Sequence, residues 1–121
     1  MDPLFDKYRG LVGWMVNERH IFDVQLTWMA YIKDENAWSA VNSNWLGPVI
    51  GLLCLDREGR VVAWNPKEKV AGIAKPERLR RAPYRPHRPK SPSPRGRVLP
   101  PMPPAPMRGW SPLSFSEWLR Q

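Results

Sequence analysis

The chain holds one cysteine, two histidines and no long apolar run, and each scarcity excludes something. A lone Cys54 forbids an intrachain disulfide. It sits in "GLLCL", where a thiol is expected to be buried as a small hydrophobe, which fits a reducing compartment. His20 and His87 are far apart and neither has a Cys or a second His beside it, which argues against a zinc site. The longest apolar run, Trp45 to Leu55, is 11 residues and is interrupted by Pro48 and two glycines, whereas a membrane-spanning helix needs about 20. The start, "MDPLFDKYRG", lacks the basic and apolar regions of a signal peptide, so the expected location is cytoplasmic, with membrane association open. Neither "RGLVG" nor "REGRVV" has the spacing or the lysine of a phosphate-cradling loop. His20 lies near Asp23, but no nucleophile motif accompanies them and a polar hinge residue is the better reading. No enzyme activity, cofactor or metal is expected.

Acidic residues are scarce in the second half. Residues 71–121 carry 11 Lys/Arg against 2 Asp/Glu, whereas residues 1–70 carry 8 against 9, so the net +8 arises entirely from the C-terminal part. An anionic partner would be drawn there first.

The first half is repetitive. Gly13, Ala30, Gly47 and Ala63 recur at intervals of 17, 17 and 16, each after an apolar residue: Val12, Met29, Leu46 and Val62. A second set, Phe5, Phe22, Trp38 and Leu55, recurs at 17, 16 and 17, each before Asp6, Asp23, Ser39 or Asp56. Four units follow, about 4–19, 20–36, 37–53 and 54–68, the third with an extra turn residue. In each, a strand ends in apolar–Asp, a polar turn follows, and a second strand carries apolar–small–aromatic. The Asp is expected to cap its own turn rather than to ring a cation, with Gly10 and Gly59 in register as turn glycines. The repeated small residue marks a crowded point. A lone hairpin is marginal in water, so the units must share a core. The expected fold is all-β: four hairpin repeats of about 17 residues in a shallow, closed, pseudo-four-fold sheet.

The phrases "LFDKYRGLVGW", "HIFDVQLTWMAYI", "AWSAVNSNWLG" and "LDREGRVVAW", followed by a proline-rich stretch and "GWSPLSFSEWLRQ", resemble the four-fold β-flower proteins, strongly over residues 3–68 and in style beyond. The resemblance implies a square, pseudo-symmetric β-structure in a small bacterial protein. It implies no activity, catalytic residue or cofactor.

The division expected is a β-domain over 1–70, a basic proline-rich linker over 71–109 and a C-terminal anchor over 110–121. Residues 75–109 hold 11 prolines and 10 Lys/Arg. Pro83, Pro86, Pro89 and Pro92 stand three apart, on one edge of a polyproline II helix, with Arg85 and Arg88 on a second. Ser114 to Glu117 spells a capping box for a short helical turn. Trp110, Trp118 and Leu119 are candidate docking anchors, on this chain, a sister chain or a partner.

Strand alternation places Trp28 and Ala30 on one side, Met29 and Tyr31 on the other. So small a sheet is not expected to bury all its aromatics, so Trp14, Tyr31 and Trp64 are candidates for an exposed aromatic face. Such a face would suit an anionic membrane surface, a lipid or apolar ligand, or a homo-oligomer interface. The expected role is binding or scaffolding. The alternative uses the tail: Arg81, Arg85, Arg88 and Lys90 as phosphate contacts to nucleic acid, though Tyr84 is its only stacking partner before Trp110, or the PxxP edge as ligand for a proline-recognising protein.

Overall fold

A computed structural model describes residues 1–68, 85–94 and 98–121. Eight strands run in chain order: β1 (Asp2–Phe5), β2 (Leu11–Val16), β3 (His20–Asp23), β4 (Trp28–Lys33), β5 (Asn36–Ser39), β6 (Trp45–Ile50), β7 (Leu53–Leu55) and β8 (Val61–Ala63). Each pairs antiparallel with the next. The ring closes where Phe5 and Trp64 exchange two backbone hydrogen bonds of 2.8 and 3.0 Å. Closure leaves no long unpaired edge. One short helix, α1 (Phe115–Leu119), follows.

Every repeat contains the same irregularity. Phe5 faces Leu11 while Leu4 faces Gly13, so Val12 is an extra residue, a β-bulge. Met29, Leu46 and Val62 occupy the same place in the other three units. The apolar residue of the repeat is thus the bulge itself. A bulge lets two successive residues face one way and resets the alternation. Trp28 and Tyr31 therefore share a face, ring centres 6.3 Å apart, while Ala30 packs on the other side with Met29 against it. This corrects the strict alternation expected for "TWMAYI". Its consequence is that in β4 and β8 one face collects large residues from both sides of the bulge, Trp28 with Tyr31 and Val61 with Trp64.

The small residue after the bulge sits where backbone crowds in. A Cβ on Gly13 would lie 2.6 Å from the Phe22 carbonyl oxygen and 2.9 Å from the Phe115 ring. One on Gly47, at φ +148°, would collide with the Leu55 carbonyl. Each crowding carbonyl belongs to the next unit's anchor residue, so the small side chain is the price of packing four units into a ring.

The four turns are copies. The Asp6, Asp23 and Asp56 carboxylates each accept two backbone N–H bonds of 2.8–3.0 Å, from the residues two and four further on. The Ser39 hydroxyl does the same work for Val41 and Asn42 in the longer third turn. The left-handed position is three residues after the Asp: Arg9, Leu26 and Gly59. Gly59 therefore matches Arg9, not Gly10. Gly10 instead lies beside the Asp6 carboxylate, 3.3 Å from where a Cβ would stand.

The two faces have different lids. On one, Leu4, Met15, Ile21, Leu46 and Cys54 pack with Phe115, Trp118 and Leu119 of α1. The Trp118 indole is fully buried and donates to the Leu55 carbonyl at 2.9 Å. The expected capping box holds the helix start, Ser114 Oγ accepting from Glu117 N at 3.1 Å and Glu117 Oε1 from Ser114 N at 3.0 Å. Gln121 ties down the end by donating to the Leu46 carbonyl at 2.9 Å. A division at residue 70 separates strands from tail in sequence but not in the core, since Leu4 and Trp118 belong to one cluster.

Candidate functional site

The opposite face holds Trp14, Phe22, Trp28, Tyr31, Trp38 and Trp45, continuing into Phe5, Leu55, Val61 and Trp64. Trp14, Tyr31 and Trp64, expected to be exposed, retain 7%, 1% and 6% of their accessible surface. The expectation fails for a definite reason. A ring of 65 residues cannot cover this face alone, but the proline-rich segment lies across it. Val98 packs on both aromatic clusters. The Arg85 guanidinium stands 5.4 Å from the centre of the Trp28 ring, a cation–π contact. Arg9 donates from Nε and Nη2 to the Pro101 and Pro100 carbonyls, both at 3.2 Å. Trp110 Nε1 donates to the Pro104 carbonyl at 3.1 Å. A proline-rich chain has carbonyls without matching amides, so side-chain donors are what hold it.

The segment forms a strap with a threefold rhythm. Pro86, Pro89 and Pro92, and in the same phase Val98, Pro101 and Pro104, are half-buried. The edge through His87, Lys90 and Ser93 is exposed and continues in phase as Leu99, Met102 and Ala105, also exposed. Arg85, Arg88 and Ser91 form the third edge and are exposed too. Over residues 85–94 this is the burial pattern of a polyproline II helix laid on a surface by one edge; past Pro101 the rhythm loosens, with Pro103 and Pro106 also half-buried. Of the expected proline edge, Pro86, Pro89 and Pro92 are turned toward the chain's own sheet, and Pro83 lies outside the described residues. Arg88 and Lys90 are exposed on the two outer edges, whereas the Arg85 guanidinium lies against Trp28. Arg81 lies outside the described residues. Leu99, Met102 and Met107 keep 74%, 75% and 84% of their surface, and Tyr8, next to the strap-binding Arg9, keeps 79%.

The three docking anchors separate. Trp118 and Leu119 enter the core beneath the ring. Trp110 stays half-buried at its rim, where Gly109 to Ser111 runs alongside Val61 through two backbone hydrogen bonds of 3.3 and 2.8 Å. It marks the point where the chain passes from the strap face toward the helix face.

Burial pushes the Cys54 thiol up to about 12. His20, edge-on to Trp28 at 5.7 Å, is lowered from its ordinary value by burial and then by Arg19. Its Nδ1 is buried without a hydrogen-bond partner, as are the indole nitrogens of Trp28 and Trp64. A cleft of about 470 Å³ opens beside it, lined by Arg19, His20, Tyr31, Ile32, Lys33 and Pro86. A smaller one of about 250 Å³ separates the first turn from the start of α1, with Lys7, Trp110 and Glu117 on its walls. Asp2 and Lys67 form the one ion pair among the described residues, at 2.8 Å, so the strap cations carry no carboxylate partner there. No cluster of metal-ligating side chains occurs among the described residues, and no helix there is long and apolar enough to cross a membrane.

The sequence signals the docking of Trp118 but not the His20 cleft or, directly, the Leu99–Met102 edge. The edge had an indirect signal: the three-residue phase of Pro86, Pro89 and Pro92 extends to Val98, Pro101 and Pro104. No curated protein and no solved structure matches the chain. A family model, that of the 4-fold beta flower protein, matches residues 2–119. That span includes strap and helix as well as the four repeats, and the chain belongs to this family.

Proposed function

We propose that this protein is a non-catalytic binding module that docks on an anionic lipid surface through the outward edges of its strap. The observation that supports this most is the division of labour along those edges. The first part presents Arg88 and Lys90, and the second presents Leu99 and Met102, with Met107 beyond. Cations near an anionic bilayer contribute about 1 kcal/mol each, and a fully buried Leu or Met side chain about 1.5–3 kcal/mol. Neither set alone anchors a protein firmly; the combination is the two-signal logic of peripheral attachment. The sheet aromatics do not take part directly. They fix the strap, and the strap meets the lipid.

The alternative is phosphate binding by the same cations along nucleic acid. It uses Arg88 and Lys90 and leaves the Leu99–Met102 edge without a role. A proline-recognising partner is disfavoured because the Pro86–Pro89–Pro92 edge faces the sheet.

The test is a polarity-sensitive dye on Met102→Cys, with Arg120→Cys on the helix side as control. The buried Cys54 thiol does not compete for the label, with its titration pushed up to about 12. Vesicles containing phosphatidylserine should shift the dye at 102 to the blue and leave the dye at 120 unchanged. Equal shifts at both positions, or none at 102, would remove the proposal.

A further inference from the structure

We propose that the cleft between the start of β3 and the strap is a binding site for a phosphate ester. Among the described residues two cations line it, Arg19 immediately before β3 and Lys33 at the end of β4, and no carboxylate does. Glu18, Asp34 and Glu35 of the neighbouring turns are exposed and are not part of the lining. His20 lines the same cleft, with its Nδ1 buried and without a hydrogen-bond partner. A ring that lines a cleft beside two cations is placed to respond to an anion bound there. Arg85 of the strap adds a third cation nearby, over the same Trp28 ring that His20 meets edge-on.

A phosphate monoester suits this set chemically. Its oxygens accept from the forked Arg19 guanidinium, from the Lys33 ammonium and from a protonated His20. Tyr31, Ile32 and Pro86 provide apolar wall for the ester's organic part. The volume of about 470 Å³ lies within the range of small-molecule sites. Because Pro86 belongs to the strap and the other lining residues to the sheet, a ligand here touches both. The site does not depend on the outward strap edges, and the phosphate could be free or part of a lipid headgroup.

The experiment follows the His20 ring by NMR in the full chain while inorganic phosphate is added. A bound dianion stabilises the imidazolium, so the protonation midpoint of His20 should rise by roughly one unit, a tenfold gain in proton affinity, and saturate. The exposed His87 is an internal control and should not follow. Arg19→Gln with Lys33→Gln, both outward-reaching side chains, should abolish the rise while the amide spectrum stays that of the folded protein. Repeating the titration with bicelles carrying phosphatidic acid separates the sources. A response to free phosphate assigns a soluble ester, and a response to the bicelles alone assigns a headgroup. An unmoved His20 in both arms, a parallel shift at His87, or an unchanged response in the double variant would overturn the proposal. Any of these would leave the dye test of lipid docking unaffected.

Discussion

Replacing Trp118 by alanine tests whether the C-terminal helix is part of the core. The indole is fully buried, stacks at 5.7 Å on Phe115 and donates to the Leu55 carbonyl at 2.9 Å. Truncating a buried Trp costs about 3–5 kcal/mol in transfer and cavity energy. Leaving the Leu55 carbonyl unsatisfied adds about 1–3 kcal/mol. A loss of about 5 kcal/mol follows, comparable to the whole stability of many small domains, about 5–15 kcal/mol. Trp118→Phe keeps most of the apolar area and loses the hydrogen bond, so it should cost less, about 2 kcal/mol. Urea unfolding followed by far-ultraviolet circular dichroism reads both without relying on the altered tryptophan. If Trp118→Ala shifts the midpoint by less than the equivalent of about 1 kcal/mol, the helix does not plug the ring and the description of the core is wrong.

Other outcomes follow from the same geometry. Asp56→Ala removes a buried carboxylate that accepts from two backbone N–H groups of its turn and should cost about 2 kcal/mol in urea unfolding. Glu35→Gly relieves a residue held at φ +59° in the two-residue turn between β4 and β5 and should stabilise by about 0.5–1 kcal/mol, since left-handed backbone costs a non-glycine residue about 1–2 kcal/mol and glycine's own entropy returns part of it. For His20, whose folded value lies below the ordinary 6.5, the unfolded chain takes up the proton first. Stability should therefore fall as pH drops through about 6.5 toward the folded value and level off below it, and His20→Gln should flatten that part of the profile. Glu117, held below its ordinary 4.5 mainly by its hydrogen bond to the Ser114 backbone, contributes at neutral pH, and its contribution should fade as acidification passes the folded value.

The repeat spacing made the ring legible because each unit reuses one turn and one crowded small residue, and both leave a fixed sequence mark. The bulges were less visible. Val12, Met29, Leu46 and Val62 read as ordinary strand residues, and only the pairing register reveals them as extra. With the bulges missed, Trp28 and Tyr31 fell on opposite faces. The turn glycine was misassigned because Arg9 and Leu26 accept a left-handed backbone that sequence preference reserves for glycine. The candidate aromatic face failed for a non-local reason. Whether Trp14 or Trp64 meets water depends on a strap more than 30 residues further along, and no local pattern encodes that docking. The charge on the strap was plain in the sequence, whereas its outward apolar edge needed the threefold phase to be followed past Pro92.

The most direct measurement of the central claim is co-sedimentation of the full chain with phosphatidylserine-containing vesicles at low and at high salt, alongside binding to duplex DNA under the same conditions. Attachment through cations together with Leu99 and Met102 predicts that vesicle binding weakens with salt but persists, while any DNA binding disappears. Vesicle and DNA binding that vanish together as salt rises would show the strap to be a simple polycation and would contradict the account.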